Sequence, residues 1–223
     1  MKILVLGAGS IGRRHVSNLL LLNKNIRLDI FDTDQSRLEY FRDFKGAVRL
    51  NDELQFESSY DLVLVCTPPS VHLKYAERFL LLGSKVFIEK PLTTDSVKIT
   101  KFKKKLSRKH ECNIAVGYNF RFHKELRQVR DLINSGRLGK VLNFSAEFGQ
   151  YLPDWRPWQD YRRSYTSRKD LGGGIILDAS HEIDSVIWLL GGVRDIFACS
   201  GKVSALEVDV EDCAEIIFTL QSG

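Results

Sequence analysis

Residues 4–12 read Leu-Val-Leu-Gly-Ala-Gly-Ser-Ile-Gly, and Asp32 stands twenty residues after Gly12. A lone G-x-G-x-x-G says little, because glycine is common. Here an apolar run precedes it, an amphipathic stretch follows it, and an acid comes at the distance a βαβ unit requires. Lys2–Leu6 is short, apolar and β-branched at Ile3 and Val5, which predicts a strand buried on both faces. Gly7 allows the tight turn out of that strand, Gly9 lets the backbone approach a pyrophosphate, and Gly12 lets the next helix pack against the strand. That helix is expected to run through Leu22, with Ile11, Val16, Leu19 and Leu20 as its apolar stripe. Its free N–H groups and positive dipole end would face phosphates. Asn25–Phe31 reads as the second strand, with Asp32 at its end. A carboxylate there accepts from a ribose 2′-hydroxyl and repels a 2′-phosphate. NAD is therefore expected over NADP, with NADP left open if Arg37 swings toward the same pocket.

Strands and helices alternate through residue 117, which predicts a parallel sheet with helices on both faces. Helices are expected at Gln35–Phe44, Val71–Leu82 and Asp95–Lys109. Strands are expected at Val48–Leu50, Asp61–Cys66, Lys85–Ile88 and Asn113–Val116. The unusual residues fall at strand carboxyl ends, where open α/β sheets bind ligands. They are Gly7–Gly12, Asp32, Thr67-Pro68-Pro69, Glu89-Lys90-Pro91 and Tyr118-Asn119. Ser70 is a candidate N-cap for the helix after the prolines.

Beyond that point the pattern changes, which predicts an α/β architecture of two domains, residues 1–118 and 119–223. The first is a Rossmann doubly wound parallel sheet. The second is an α+β domain with an open, mainly antiparallel sheet. Glu125–Ser135 reads as a helix. Val141–Gln150 alternates, with Leu142, Phe144, Ala146 and Phe148 on one face, and is expected as an antiparallel strand. Tyr151–Asp170 is loop-like and rich in Trp, Arg, Tyr and Asp. A triple glycine, Gly172–Gly174, precedes a helix through Leu190, and Asp195–Cys199 and Ala214–Leu220 read as strands.

Composition narrows the function classes. The chain holds 223 residues, 43% of them hydrophobic, enough for a good core. No run of eighteen apolar residues marks a membrane helix. The N-terminus enters a strand directly, so no signal peptide is expected and the cytoplasm is the default. The four cysteines, Cys66, Cys112, Cys199 and Cys213, form no C-x-x-C pair and no metal spacing. Reduced, mostly buried thiols and no metal are expected. Much of the net charge of +5 comes from Lys98–Lys109. No aromatics interleave on its charged face, so it reads as a surface helix turning Val97, Phe102 and Leu106 inward, not a nucleic-acid surface.

The glycine loop, Thr67-Pro68-Pro69-x-x-His72, Glu89-Lys90-Pro91, Gly117-Tyr118-Asn119-x-Arg121, and a triple glycine followed by an Asp/His helix occur in that order. The combination resembles the Gfo/Idh/MocA oxidoreductases over nearly the whole chain. The resemblance implies that Gly7, Gly9, Ser10, Ile11 and Gly12 hold the pyrophosphate and Asp32 the adenosine ribose. It implies that Thr67, Pro68 and His72 line the cofactor, with Glu89, Lys90 and Asn119 also on the cofactor side. Lys90, Asp178 and His181 would form the catalytic group, His181 taking a hydroxyl proton as hydride leaves the same carbon for nicotinamide, and returning it in reverse. Arg121 and Arg156 would join Lys90, Asp178 and His181 around a sugar, polyol or nucleotide-sugar substrate.

Two departures from the family pattern stand out. Asp178 and His181 are three apart where the family has four, a spacing that still keeps both on one helical face. Asp184 is another neighbour of His181 that would orient it. Family members also continue beyond the point where this sequence stops, so the second domain is expected to be incomplete. Ala214–Leu220 would then be a sheet edge that needs a partner, which predicts a homo-oligomer through the C-terminal sheet. The competing expectation is a non-catalytic dinucleotide-binding protein.

Overall fold

The computed structural model describes residues 1–23 and 25–221; Lys24 and the final Ser222 and Gly223 lie outside the described residues. The chain divides into two units, Met1–Gly117 and Tyr118–Gly223.

The first unit is a six-stranded, wholly parallel sheet. Its strands are β1 (Lys2–Leu6), β2 (Arg27–Phe31), β3 (Ala47–Leu50), β4 (Leu62–Val65), β5 (Lys85–Ile88) and β6 (Ile114–Val116), in the order β3-β2-β1-β4-β5-β6. Its helices are α1 (Ser10–Leu22), α2 (Gln35–Leu38), α3 (His72–Leu81), α4 (Ser96–Lys105) and α5 (Arg108–Glu111). The expected doubly wound sheet is present. Alternate residues of β1 enter different cores: Ile3 and Val5 pack with Val16, Leu28 and Ile30, while Leu4 and Leu6 pack with Val63, Phe79 and Ile88. Both faces are covered, which explains an apolar run without alternation. The chain winds in opposite directions from β1 and β4. This leaves a crevice outside their carboxyl ends, where such sheets take ligands.

Several local expectations are corrected. Residues 35–44 do not form one helix: after α2 the chain tightens into a 3-10 turn over Glu39–Phe41. Leu38, Phe41 and Phe44 recur every three residues, and the tighter turn puts all three against the core. The basic segment splits as well. Asp95 caps α4 by accepting from Val97 and Lys98 N–H, Leu106 is extended, and Ser107 restarts the chain as α5. Phe102 is buried and Leu106 packs on the core, but Val97 is exposed. Ser70 caps nothing, because Pro69 opens a 3-10 turn ahead of α3. Only Cys66 is buried; the other three free thiols are exposed.

The second unit holds α6 (Lys124–Asn134), α7 (Leu152–Trp155), α8 (Ile175–Asp178), α9 (Ser180–Leu190) and an antiparallel pair, β7 (Val193–Gly201) with β8 (Cys213–Leu220). The α+β class holds. The strand expected at Val141–Gln150 does not form: none of these residues joins a ladder. Alternation supplies one apolar face, but a strand also needs a hydrogen-bonded neighbour. The segment instead lines a groove of about 1200 Å³ with Val186, Leu189, Ile216 and Phe218. The helix after the triple glycine is interrupted at Ala179, which is non-helical and separates α8 from α9.

No helix among the described residues is long and apolar enough to cross a membrane.

Candidate functional site

In the first unit the site is built at the ends of β1, β2, β4 and β5. Gly7, at φ +101°, turns the chain out of β1, and its N–H donates to the Phe31 carbonyl at 2.8 Å. A Cβ on Gly7 would lie 2.5 Å from the Cys66 carbonyl oxygen, and one on Gly12 would lie 1.9 Å from the Gly7 carbonyl oxygen. These two glycines are demanded by the fold. Gly9 is not: a Cβ there meets nothing within 4 Å. It stands at the head of α1, where no side chain caps the helix and no acid sits in the first turn. An open face over free N–H groups fits a pyrophosphate, which Ser10 and Ile11 at the start of the helix would flank.

Asp32 is buried, yet both carboxylate oxygens are engaged. Oδ2 accepts from Ala8 N–H at 2.8 Å and Oδ1 from Asp34 N–H at 2.9 Å. The carboxylate is thereby aimed across the glycine loop. Each oxygen keeps a lone pair for a ribose hydroxyl. Arg37 Nη1 is 3.7 Å from Asp32, so it does share that pocket.

Thr67 and Pro68 are half-buried at the end of β4. His72 is placed otherwise than expected, because its ring is wholly buried and cannot line a ligand. Nδ1 lies 2.9 Å from the Pro91 carbonyl oxygen and Nε2 lies 2.7 Å from the Thr67 carbonyl oxygen. Burial holds its pKa below the ordinary value, against the two carbonyls and Glu89, which favour the charged ring. His72 thus joins the Thr67-Pro68 loop to the Glu89-Lys90-Pro91 loop. The Lys90–Pro91 peptide is cis.

Glu89 has a partner that sequence reasoning missed. His15 Nε2 on α1 lies 2.6 Å from Glu89 Oε1, and Lys90 N–H donates to Glu89 Oε2 at 3.3 Å. The available signal was positional: His15 lies one helical turn beyond the glycine loop, on the face that also carries Ile11.

The second unit gathers the remaining candidates. Asn119 is exposed in a 3-10 turn spanning Asn119–Phe122. In the same turn, Arg121 makes a bidentate pair with Asp184, Nε to Oδ2 at 2.9 Å and Nη2 to Oδ1 at 2.5 Å. Asp184 therefore answers Arg121, a correction to its expected part in orienting His181, and the guanidinium of Arg121 is largely committed. His181 stacks on Phe120 with centroids 4.5 Å apart and meets Tyr118 edge-on at 5.8 Å. Asp178 is buried and accepts from the Tyr165 hydroxyl at 2.6 Å. The break at Ala179 means that the shared-face argument for Asp178 and His181 does not apply; a helix junction sets their relation. Arg156 has no carboxylate partner among the described residues and lies between the rings of Trp155 and Tyr165, at 5.8 and 5.9 Å. Two other loop arginines are paired, Arg162 with Asp160 and Glu207 and Arg168 with Asp170.

The family model described as "Oxidoreductase family, NAD-binding Rossmann fold" matches residues 1–118, and that of the "GFO/IDH/MocA C-terminal domain" matches residues 126–223. The chain belongs to the Gfo/Idh/MocA oxidoreductase family.

Within this family the chain is 27% identical to the myo-inositol 2-dehydrogenase of Thermotoga maritima, an alignment covering 100% of this chain and 66% of that protein. It is 30% identical to the inositol 2-dehydrogenase of Rhizobium meliloti, over 84% of this chain and 54% of that one. The chain thus spans between about half and two thirds of these relatives. Among solved structures it superposes on the WlbA dehydrogenase from Bordetella pertussis, in complex with NADH and UDP-GlcNAcA. The TM-score is 0.81 at 21% identity, covering 100% of this chain and 64% of that one. This last likeness is one of fold.

Proposed function

We propose that this Gfo/Idh/MocA member is an NAD-dependent oxidoreductase that moves hydride between nicotinamide and the hydroxyl-bearing carbon of a sugar, polyol or nucleotide sugar. The observation that carries the reading is the open backbone at Gly9, over the uncapped head of α1, with Asp32 aimed across the same loop. Kinship with inositol dehydrogenases supports a polyhydroxylated substrate.

When bound, the dinucleotide supplies the hydride acceptor. The chain's own groups orient and deprotonate. Lys90 would donate a hydrogen bond to the reacting hydroxyl and stabilise its oxygen as the proton departs. His181 would take that proton, its imidazole held face-on by Phe120. Asp178 would stabilise the resulting imidazolium. We propose further that two copies of the chain associate through the C-terminal sheet, where Phe197 on β7 stands opposite Ile217 on β8 and both are exposed.

The test is a titration of NADH by fluorescence, followed by a panel of polyols, aldoses and nucleotide sugars read by nicotinamide absorbance. Lys90→Met and His181→Asn are expected to abolish turnover while leaving NADH affinity within about threefold. Loss of NADH affinity in both variants, or equal turnover by them, would refute the assignment. NADH binding without turnover on any alcohol would leave a dinucleotide-binding protein.

A further inference from the structure

We infer that Tyr165 is a positioning residue for Asp178: its buried phenol donates to Oδ1 and holds the carboxyl group fixed in direction. This rests on the reading of Asp178 as part of the catalytic group, and it adds a residue that the sequence motifs do not mark.

At 2.6 Å the bond has the length of a hydroxyl donating to a charged carboxylate. Asp178 is 5% exposed, and an ionised carboxylate at that depth needs a donor to offset the water it has lost. The phenol suits the task. Burial and the neighbouring Asp178 charge both raise its proton affinity, so it stays a donor throughout the working range of pH.

The contact is built from both sides. On the Tyr165 side, Ser164 Oγ accepts from Thr166 N–H at 3.2 Å, and Ser167 Oγ donates to the carbonyls of Tyr161 and Ser164 at 2.8 and 2.9 Å. On the Asp178 side, α8 is anchored at its start: Ile175 N–H donates to the Glu211 carbonyl at 3.0 Å and Ile176 N–H to Glu211 Oε1 at 3.3 Å. Between them Gly173 presses its backbone on the Tyr165–Thr166 turn, where a Cβ would lie 2.3 Å from both carbonyl oxygens. Gly174 N–H donates to the Thr166 carbonyl at 3.0 Å. The triple glycine therefore brings a tyrosine thirteen residues upstream into register with Asp178.

The charged and titratable groups around this pair, within the second unit, come from each element packed there. Arg156 follows α7 and lies 5.9 Å from the Tyr165 ring. Glu211 stands at the head of α8. His181 is on α9, as is Asp184, paired with Arg121.

The experiment compares wild-type chain with Tyr165→Phe and Tyr165→Ala. Asp178 is followed by carbon NMR of its carboxyl at neutral pH, which needs neither substrate nor turnover. NADH affinity and the thermal midpoint are measured alongside. Tyr165→Phe keeps the ring and removes only the donor. Its Asp178 carboxyl resonance is expected to move and broaden, because the donor that fixes the carboxyl direction is gone. NADH affinity should stay within about twofold. On a competent substrate kcat is expected to fall about 10–100-fold with KM within about threefold. Tyr165→Ala should show the same change in the carboxyl resonance plus a lower thermal midpoint. An Asp178 carboxyl resonance unchanged in Tyr165→Phe overturns the assignment, as does unchanged kcat. Absence of turnover in the wild-type chain counts against the dehydrogenase reading alone, because the carboxyl resonance still decides the role of Tyr165.

Discussion

His15 and Glu89 lie 74 residues apart in sequence and 2.6 Å apart in space, and their contact joins α1 to the loop that presents Lys90. Both side chains are mostly buried, at 21% and 15% exposure, so solvent screens the contact little. His15→Ala is expected to lower stability by about 1–3 kcal/mol, the cost of leaving a partly buried carboxylate short of a donor. Because Glu89 also takes the Lys90 N–H, turnover should fall further than stability predicts. Chemical denaturation beside kcat measurement checks both; a variant with wild-type turnover would show that the contact serves the fold only.

Gly9 and Gly12 make opposite predictions. Gly9→Ala adds a methyl that meets no atom of the chain, so the thermal midpoint should hold while NADH affinity drops at least about tenfold. Gly12→Ala drives a Cβ into the Gly7 carbonyl oxygen and should cost about 1–3 kcal/mol of stability. Calorimetry and NADH fluorescence on the two variants separate a ligand surface from a packing contact.

His72→Ala removes a fully buried ring between two loops and should destabilise by about 2–3 kcal/mol. The wild-type ring also predicts a pH effect. Its pKa is depressed below 6.5 in the folded chain, so between that lowered value and 6.5 the unfolded chain binds more protons. This contribution to stability is present above the unfolded pKa and is lost as pH falls through the folded one. Denaturation midpoints measured downward from neutral pH should decline in the wild type, and this component should be missing in His72→Ala.

Asp32→Ala deletes the acceptor for Ala8 and Asp34 N–H and releases Arg37 from its 3.7 Å contact. NADH affinity is expected to fall about tenfold and NADPH affinity to rise, since the repelling charge is gone and a guanidinium remains. Paired titrations with the two reduced cofactors measure the switch.

Much of the first unit was legible because its signals are local. Apolar runs, glycine punctuation and an acid at fixed distance specify β1, α1 and β2 with little help from elsewhere. Asp178, His181 and Lys90 were put forward as candidates from motif order. Tyr165 and His15 were not, because a hydrogen bond across thirteen or 74 residues leaves no periodicity behind. Val141–Gln150 shows the same limit in reverse: its alternation is as clear as that of any strand, but pairing depends on what lies beside it.

By itself, then, the amino-acid sequence determined the winding of the parallel sheet, the place of the glycine loop and the carboxyl-end rim. Those follow from nearest-neighbour sterics and from which residues avoid water. Tertiary structure alone decided which glycine leaves open space and which meets backbone, that His72 is buried as a brace between two loops, that Asp184 answers Arg121, and that a break at Ala179 puts Asp178 and His181 on separate helices. Each of these depends on atoms brought together by packing, where a carbonyl 2 Å from a would-be Cβ outweighs any local preference.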